Sequence, residues 1–582
     1  MHEFFGQRAD VNCMPMPQYS EIVRSLLIKR GVVDDSEVEA FLNPDYASQT
    51  HSPNLLFGMD KAVAHLLKVI ESQERIAVYA DFDCDGIPGA ALLSDFFQKV
   101  GCQNFEVYIP HRDREGYGFH KEAIEELAER GVKLIITVDV GTTAVDAVFH
   151  AKKLGIDTIV TDHHEMPEGE MPDALAMLNP KFLSSGSSET AYPFPHLCGA
   201  AVAWKLVQAA LAEGRRRGMP GFAEVPEGWE KWLLDLVGIA TVADMVPLVG
   251  ENRVLARFGL AVLRKSKRPG IRALCYRLRL RQNELTEDDI GFSIAPRINA
   301  ASRMDDPDAA FRLLITNDSN EAEQIAAHLE KLNSRRKGVV GSVVREAKKR
   351  VHERFRADER VVVLGDTQWK PALLGLAANS ILEERGGVVC LWGRDARGRL
   401  KGSCRSDGSV SVVELFRNAP GAVLEFGGHK ASCGFSVSHE GIHTLADSLT
   451  RSLASIAAAM PGEQNAFESD AVMSLSEMSM PLYQEVSCLA PFGVGNPKPV
   501  FLISETIVSS VKRFGKESNH IEVMISCERS GKVARAFDFF KSPDSFTHAP
   551  VVGEKADILA TLEKDSYRGG LALRLIDIIP SK

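Results

Sequence analysis

At 582 residues the chain is too long for one core and should divide into three or four domains; 45% hydrophobic and 25% charged residues are ordinary for a soluble globular protein. A formal net charge of −10 excludes a surface that is basic all over, so any nucleic-acid partner must be held by local patches. The ten cysteines run from Cys13 to Cys527 without a CxxC pair, which argues against a zinc knuckle or a disulfide framework and leaves reduced packing residues. The opening "MHEFFGQRADVNCMPMPQYS" lacks an apolar h-region and no apolar run reaches membrane-spanning length, so the expectation is a cytoplasmic protein without a membrane partner.

In chain order, residues 1–60 read as a helical preface: "SEIVRSLLIKRG" is amphipathic, and "DDSEVEAFLNP" opens on aspartate caps and stops at Pro44. Over 61–318 short apolar strands alternate with helices. "RIAVYA", "KLIITVDV" and "DTIVT" read as strands buried on both faces; "HKEAIEELAERG" and "TAVDAVFHAKKLG" read as helices with glycine caps. That alternation predicts an α/β domain with a parallel sheet. A charged, proline-free run over 319–356 carries Ile325, Leu329, Leu332, Val339, Val343, Ala347 and Val351 at helical spacing and predicts one long connecting helix, weakest at Gly338 and Gly341. A second α/β unit over 357–462 follows ("RVVVLG", "LLGLAANSILEERGG", "VVCLWG"), and 463–582 shows about five short strands of a small β-barrel.

The chemistry gathers at strand ends. "RIAVYA" runs into Asp81, Asp83 and Asp85, "KLIITV" into Asp139, and "DTIV" into Asp162, His163 and His164; Asp244 stands at the break of the apolar run "LVGIATVADMVPL". Taken alone, Asp139 reads as a helix cap and a His-His pair as filler. Together, on strands whose carboxyl ends share one rim, they read as a metal site. Three acids in five residues repel unless cations offset them. An oxygen-rich set with imidazole and no thiolate suits Mn²⁺ or Mg²⁺, and the number of carboxylates suits two ions about 3.5–4 Å apart clamping a phosphoryl group. The reaction read from these residues is metal-assisted phosphoester hydrolysis.

These same segments resemble the motifs of the DHH phosphoesterase superfamily: Asp-x-Asp-x-Asp-Gly, Asp-x-Gly-Thr, Asp-His-His and "GIATVADMVPLVGENR". "YIPHRDREGYGF", "CGAAVAWKL", "APRINAASRMDDPDAAFRLL", "GSCRS", "FGGHKASCG" and "APFGVGNPKPVF" narrow the resemblance to the RecJ-type, single-strand-specific 5′→3′ DNA exonucleases, from about residue 20 to the end. The resemblance implies a DHH domain and a DHHA1 domain joined by a long helix across a cleft, then an OB fold. It implies Asp81, Asp83, Asp85, Asp139, His163 and Asp244 as metal ligands and His164 near the scissile phosphate. Arg112, with His164, Arg303, Arg405, Ser406 and His429, would bind substrate, Arg112 at the 5′-phosphate; for His429 a turn histidine after Gly427-Gly428 is the competing reading. The chain departs from the family pattern at Pro88-Gly89, Val140, Lys370, Ser380 and the Ser302–Asp306 segment, which suggests a divergent branch.

In the barrel, Lys512, Arg513, Lys516, Lys532, Arg535, Lys564 and Arg568 interleave with Phe514, Phe537, Phe539, Phe540 and Tyr567, a pattern that suits a single strand whose bases stack while cations follow the backbone. The expectation is a monomeric two-metal exonuclease releasing 5′-mononucleotides from single-stranded DNA in repair and recombination, with a single-strand-binding protein and a helicase as candidate partners. The rivals are a nanoRNase-like or small-phosphoester hydrolase, and an inactive repair scaffold.

Overall fold

The computed structural model describes residues 19–167, 169–183, 192–304, 306–356, 358–457, 469–515, 518–565 and 568–581. Cys13, Asp305, Lys516 and Tyr567 lie outside the described residues, as does the side chain of His429. Two compact units emerge: Pro53–Asp244 with Val262–Gln464, and Met1–Ser52 with Met245–Ala261 and Asn465–Lys582.

The first unit opens with β1 (Arg75–Ala80), β2 (Phe105–Tyr108), β3 (Val132–Val138), β4 (Asp157–Thr161) and β5 (Ala176–Leu178). They form an all-parallel sheet in the order β2-β1-β3-β4-β5. Strand residues alternate between faces. Ala77, Tyr79 and Ile135 join the cores of helices Lys121–Glu129 and Val145–Lys153. On the sheet's inner layer α1 (Gly86–Lys99), α2 (Gly199–Arg216) and α3 (Leu234–Ala243) pack on one another. The strand order reverses between β1 and β3, which makes the carboxyl ends of those two strands a crevice.

Further along, α4 (Ala295–Arg303) leads toward the long helix α5 (Ser319–Arg354), whose 36 residues span about 54 Å. It runs unbroken through Gly338 and Gly341. Each glycine costs up to about 1 kcal/mol against alanine, but packing holds the helix on both sides. Ala322, Ile325, Ala326 and Leu329 are buried at one end, and Val343, Ala347 and Val351 enter the core of the next layer at the other. Val339, expected in the apolar stripe, is 37% exposed because it falls on the span between these two packed segments.

That next layer holds β6 (Val361–Gly365), α6 (Pro371–Arg385), β7 (Val388–Arg394), β8 (Leu400–Ser406), β9 (Glu425–His429) and β10 (Ser432–Val437). The sheet order is β6-β7-β8-β10-β9, parallel only between β6 and β7. Strands β8 to β10 are rich in glycine and serine and so carry little β-propensity of their own. Cys404 pairs in register with Cys390 on one side and Cys433 on the other; all nine described cysteines are free.

In the second unit, β11 (Ala471–Val472), β12 (Phe501–Phe514), β13 (His520–Cys527), β14 (Val533–Phe539), β15 (Lys555–Lys564) and β16 (Leu571–Pro580) follow the order β11-β12-β13-β14-β16-β15. Pairing of β12 with β15 closes the barrel, and two register shifts let β12 bend across both partners. Helices Glu21–Lys29 and Asp35–Leu42 share this core: Val23, Leu26, Leu27, Val38 and Leu42 cluster with Phe501, Ile503 and Val508. Buried Arg253 pins the segment beside them, donating from Nε to the Phe41 carbonyl (2.9 Å), from Nη1 to Leu489 (2.9 Å) and from Nη2 to Ala490 (3.0 Å).

Candidate metal and phosphate site

The acids of the first unit meet at the β1/β3 crevice. Asp81 follows β1, and its N–H donates to the Val138 carbonyl of β3 at 3.0 Å. Asp85 precedes α1, and its carboxylate accepts from the N–H groups of Gly199 (2.6 Å) and Ala200 (2.8 Å) at the start of α2. A helix N-terminus is a natural seat for an anion. Asp139 follows β3 with φ +60°, a left-handed conformation that costs about 1 kcal/mol or more outside glycine. Close backbone approach holds it there: a Cβ on Gly199 would come within 2.7 Å of Asp139 Cβ. Gly89, one of the departures from the family pattern, has the same explanation, since a Cβ would meet Val138 Cγ1 at 2.4 Å. Asp244 caps the carboxyl end of α3, so it reaches the site from a helix and not from a strand.

His163 is the hub. Its Nε2 lies 3.2 Å from Asp139 Oδ1, 3.5 Å from Asp244 Oδ2 and 3.6 Å from Asp85 Oδ2. Three triads, Asp81-Asp83-Asp139, Asp85-His163-Asp244 and Asp139-His163-His164, can each bring three ligand atoms within 4.8 Å of one another. Burial and the neighbouring carboxylates push Asp81, Asp139 and Asp244 well above the usual carboxylate range, and Asp85 to about 7. Among the described residues buried Asp81 Oδ1 accepts no hydrogen bond, and Asp139 Oδ1 meets only the His163 and His164 rings. An orphaned oxygen among crowded acids fits one class of ligand, hard divalent cations.

Asp162, counted in the strand-end cluster but outside the ligand set that the resemblance implies, organises the histidines. Its Oδ1 accepts from the N–H of His163 (2.7 Å) and from His164 Nδ1 (2.8 Å), and its Oδ2 from the Thr142 N–H (2.8 Å). Burial would raise this carboxyl, but the charge and hydrogen bond of His164 outweigh it and hold it below the usual range. With both oxygens satisfied, Asp162 orients and does not ligate. Tyr117 was also missed: its hydroxyl sits 3.3 Å from His164 Nδ1 and 3.4 Å from the Asp139 carbonyl. Val140, at the family's asparagine position, is buried in the apolar cluster of the outer face.

Facing the acids is a group of arginines. Arg112 lies over the Phe82 ring at 4.7 Å. Arg303 donates from Nη1 to the Ala372 carbonyl of α6 (2.6 Å), and Arg405 from Nη1 to the Cys404 carbonyl (2.9 Å). Arg336 of α5, unassigned from sequence, donates to Asn333 Oδ1 (2.9 Å), while its buried Nε has no hydrogen-bond partner among the described residues. Burial lowers the Arg303 guanidinium well below its usual range, and repulsion from Arg112, Arg336 and Arg405 adds to this. Like charges crowded this way call for an anion, as the acids opposite call for cations. Ser406 is not among these groups: its hydroxyl donates to the Val410 carbonyl (2.8 Å) and accepts from the Gly408 N–H (3.2 Å) inside its own turn. The departure at Lys370 forms an ion pair with Asp113 (2.8 Å); nothing in the structure explains Ser380.

The barrel track is narrower than its sequence suggests. Arg535 pairs with Glu522 (2.6 Å) and Asp565 (2.8 Å), Arg568 also pairs with Glu522 (2.9 Å), and Phe537 is buried. Register across β13 and β14 puts Glu522 opposite Phe537, beside Arg535, and this neutralises the cations. Phe539 and Phe540 stay 42% and 80% exposed around His520, and Lys512 and Arg513 are exposed on β12.

The DHH family N-terminal domain matches residues 75–241, the DHHA1 domain 358–455 and the RecJ OB domain 469–577. The chain is 34% identical over 513 residues to the single-stranded-DNA-specific exonuclease RecJ of Bacillus subtilis, covering 88% of this chain and 62% of that one. It is 30% identical over 541 residues to the Haemophilus influenzae protein of the same name, covering 90% and 91%. The crystal structure of Thermus thermophilus RecJ in complex with Mn²⁺ matches with a TM-score of 0.76 and 26% identity over 96% of this chain and 76% of that one. Similarity of sequence along nearly the whole of both chains, and the same three domains in the same order, make this chain a member of the RecJ family.

Proposed function

We propose that this protein is a metal-dependent exonuclease that hydrolyses single-stranded DNA from its 5′ end and releases 5′-mononucleotides. One observation carries the reading: a cluster of buried carboxylates, crowded around His163, faces a group of arginines crowded against one another. Cations on one side and phosphates on the other satisfy both.

Asp81, Asp83, Asp85, Asp139, His163 and Asp244 would hold two Mn²⁺ or Mg²⁺ ions, the metals named in complexes of the Thermus relative. Bound there, the ions supply Lewis acidity and an acidified water. The protein's own groups do the rest. Asp162 holds His164 in one orientation beside Tyr117, where the ring can donate to a phosphoryl oxygen or leaving oxygen. Arg112 holds the terminal phosphate, while Arg303, Arg336 and Arg405 hold the phosphates that follow. Exposed Phe539 and Phe540 offer stacking faces for bases farther along the strand.

An enzyme that accepts only single strands depends on something that opens duplexes and holds the product, which is why a helicase and a single-strand-binding protein are the partners proposed, with the enzyme itself a cytoplasmic monomer. The test uses 5′- and 3′-labelled DNA and RNA oligonucleotides and a dinucleotide, with Mn²⁺, Mg²⁺ or chelator. Stepwise mononucleotide release from the 5′ end of DNA is expected, lost in Asp83→Ala and His163→Ala. Equal turnover by those variants, or turnover of the dinucleotide alone, would refute the reading.

A further inference from the structure

Three successive N–H groups of the acid loop, those of Cys84, Asp85 and Gly86, have acceptors in the fold, and only one acceptor lies outside the loop. Asp83 Oδ1 accepts from Asp85 (2.8 Å) and Gly86 (3.3 Å). The N–H of buried Cys84 donates to Asn299 Oδ1 of α4 at 2.9 Å, across 215 positions of sequence. A backbone N–H can only donate, so the Asn299 amide must turn its oxygen to Cys84, which leaves Nδ2 as a donor. No group among the described residues accepts from Nδ2, and Asn299 is half-buried. Arg303 stands one helical turn further along α4 on the same face, its Cβ about 6 Å away. One helix face therefore carries both a hold on the acids and a member of the arginine group.

We propose that Asn299 has two roles in the reaction: through Oδ1 it is the positioning residue that fixes the Asp83–Asp85 loop for metal, and through Nδ2 it donates to the phosphate held between the acids and Arg303. The proposal rests on the exonuclease reading for the identity of that phosphate. Asp83 and Asp85 flank Cys84, so a shift of this one peptide displaces two carboxylates at once. A neutral side chain suits the position. A further cation beside Asp83 would compete with metal for the carboxylates, and a further carboxylate would repel the phosphate; an amide supplies an acceptor and a donor without charge.

Two variants separate the roles on the full chain. Asn299→Asp keeps the acceptor and loses the donor, whereas Asn299→Leu has similar volume and offers neither. Calorimetry with Mn²⁺ and no DNA should show about tenfold weaker binding by Asn299→Leu and no weakening by Asn299→Asp. In chelator, Asn299→Leu should bind a 5′-phosphorylated dT oligomer about fivefold more weakly. The slope of log K against log salt should not change, since a lost neutral contact releases no counterion. In Mn²⁺, Asn299→Asp should lower kcat/KM for that oligomer about a hundredfold. Melting curves in chelator check folding, and Asn299→Ala takes the place of a leucine variant that fails to fold. The positioning role is overturned if Asn299→Leu binds Mn²⁺ as wild type does, or if Asn299→Asp loses as much as Asn299→Leu. The donor role is overturned if Asn299→Leu binds the oligomer as wild type does, if its salt slope falls by about 0.7, which would assign the loss to a displaced arginine, or if Asn299→Asp digests as wild type does. Digestion of labelled DNA by wild type is scored separately: its absence sinks the exonuclease reading, whereas the Mn²⁺ titration still decides the positioning role.

Discussion

Lys370 Nζ lies 2.8 Å from Asp113 Oδ2, tying the residue before α6 to the loop that carries Arg112. The pair joins the two sheets of the first unit across the face where acids and arginines meet. Both side chains are partly exposed, so its contribution to stability is about 1 kcal/mol or less; what it fixes is the loop next to Arg112. Lys370→Ala and Asp113→Ala should each raise KM for an oligonucleotide two- to fivefold, and the double variant should be no worse than the poorer single. A kinetic double-mutant cycle that comes out additive would remove the coupling.

Gly375 packs so closely under Arg405 that a Cβ there would sit 2.3 Å from Nη2. Gly375→Ala should force the guanidinium away from its bond to the Cys404 carbonyl, which offsets the gain of up to about 1 kcal/mol in helix propensity. The same change should weaken oligonucleotide binding as Arg405→Gln does. Each should also flatten the plot of log K against log salt by about 0.7, the loss of one phosphate contact on a single strand. Unchanged affinity in the alanine variant would show that Arg405 does not touch the strand.

The crowded acids set the stability of the metal-free chain. A carboxyl whose folded pKa lies above its unfolded value keeps a proton that the unfolded chain has lost. Asp85, raised to about 7, and the other raised acids therefore make stability fall as pH climbs from about 4 to about 7. Melting in chelator should drop by about 5 °C or more over that interval. Mn²⁺ should abolish the slope, and Asp139→Asn should melt no lower than wild type in chelator, because it removes repulsion.

Asp162 has the opposite sign. Its folded pKa is depressed, so its contribution is present above the ordinary carboxylate range and vanishes as pH falls through the folded value. Asp162→Asn should cost roughly 2 kcal/mol near neutrality by weakening charge-assisted bonds from Thr142, His163 and His164. The gap from wild type should close in strong acid. Activity should fall at least a hundredfold while Mn²⁺ affinity falls much less; a large loss of metal binding would make Asp162 a ligand.

Strand and helix placement was legible because it follows local periodicity. The expected strands "RIAVYA" and "DTIVT" are β1 and β4, and the acids at their ends sit where sister strands of a parallel sheet bring them to one rim. The long helix was legible too, apart from Val339, whose neighbours are set by where two layers happen to end. The tertiary structure alone distinguished Asp162, saturated by four hydrogen bonds, from Asp139, which meets only the His163 and His164 rings among the crowded acids. It alone placed Ser406 in its own turn, brought Arg336 beside Arg303, and matched Arg535 with Glu522 across the barrel. The division has a physical cause: patterns of two and 3.6 residues act along the chain, whereas charge pairing and hydrogen-bond saturation depend on which segments the crossovers, turns and strand registers bring together.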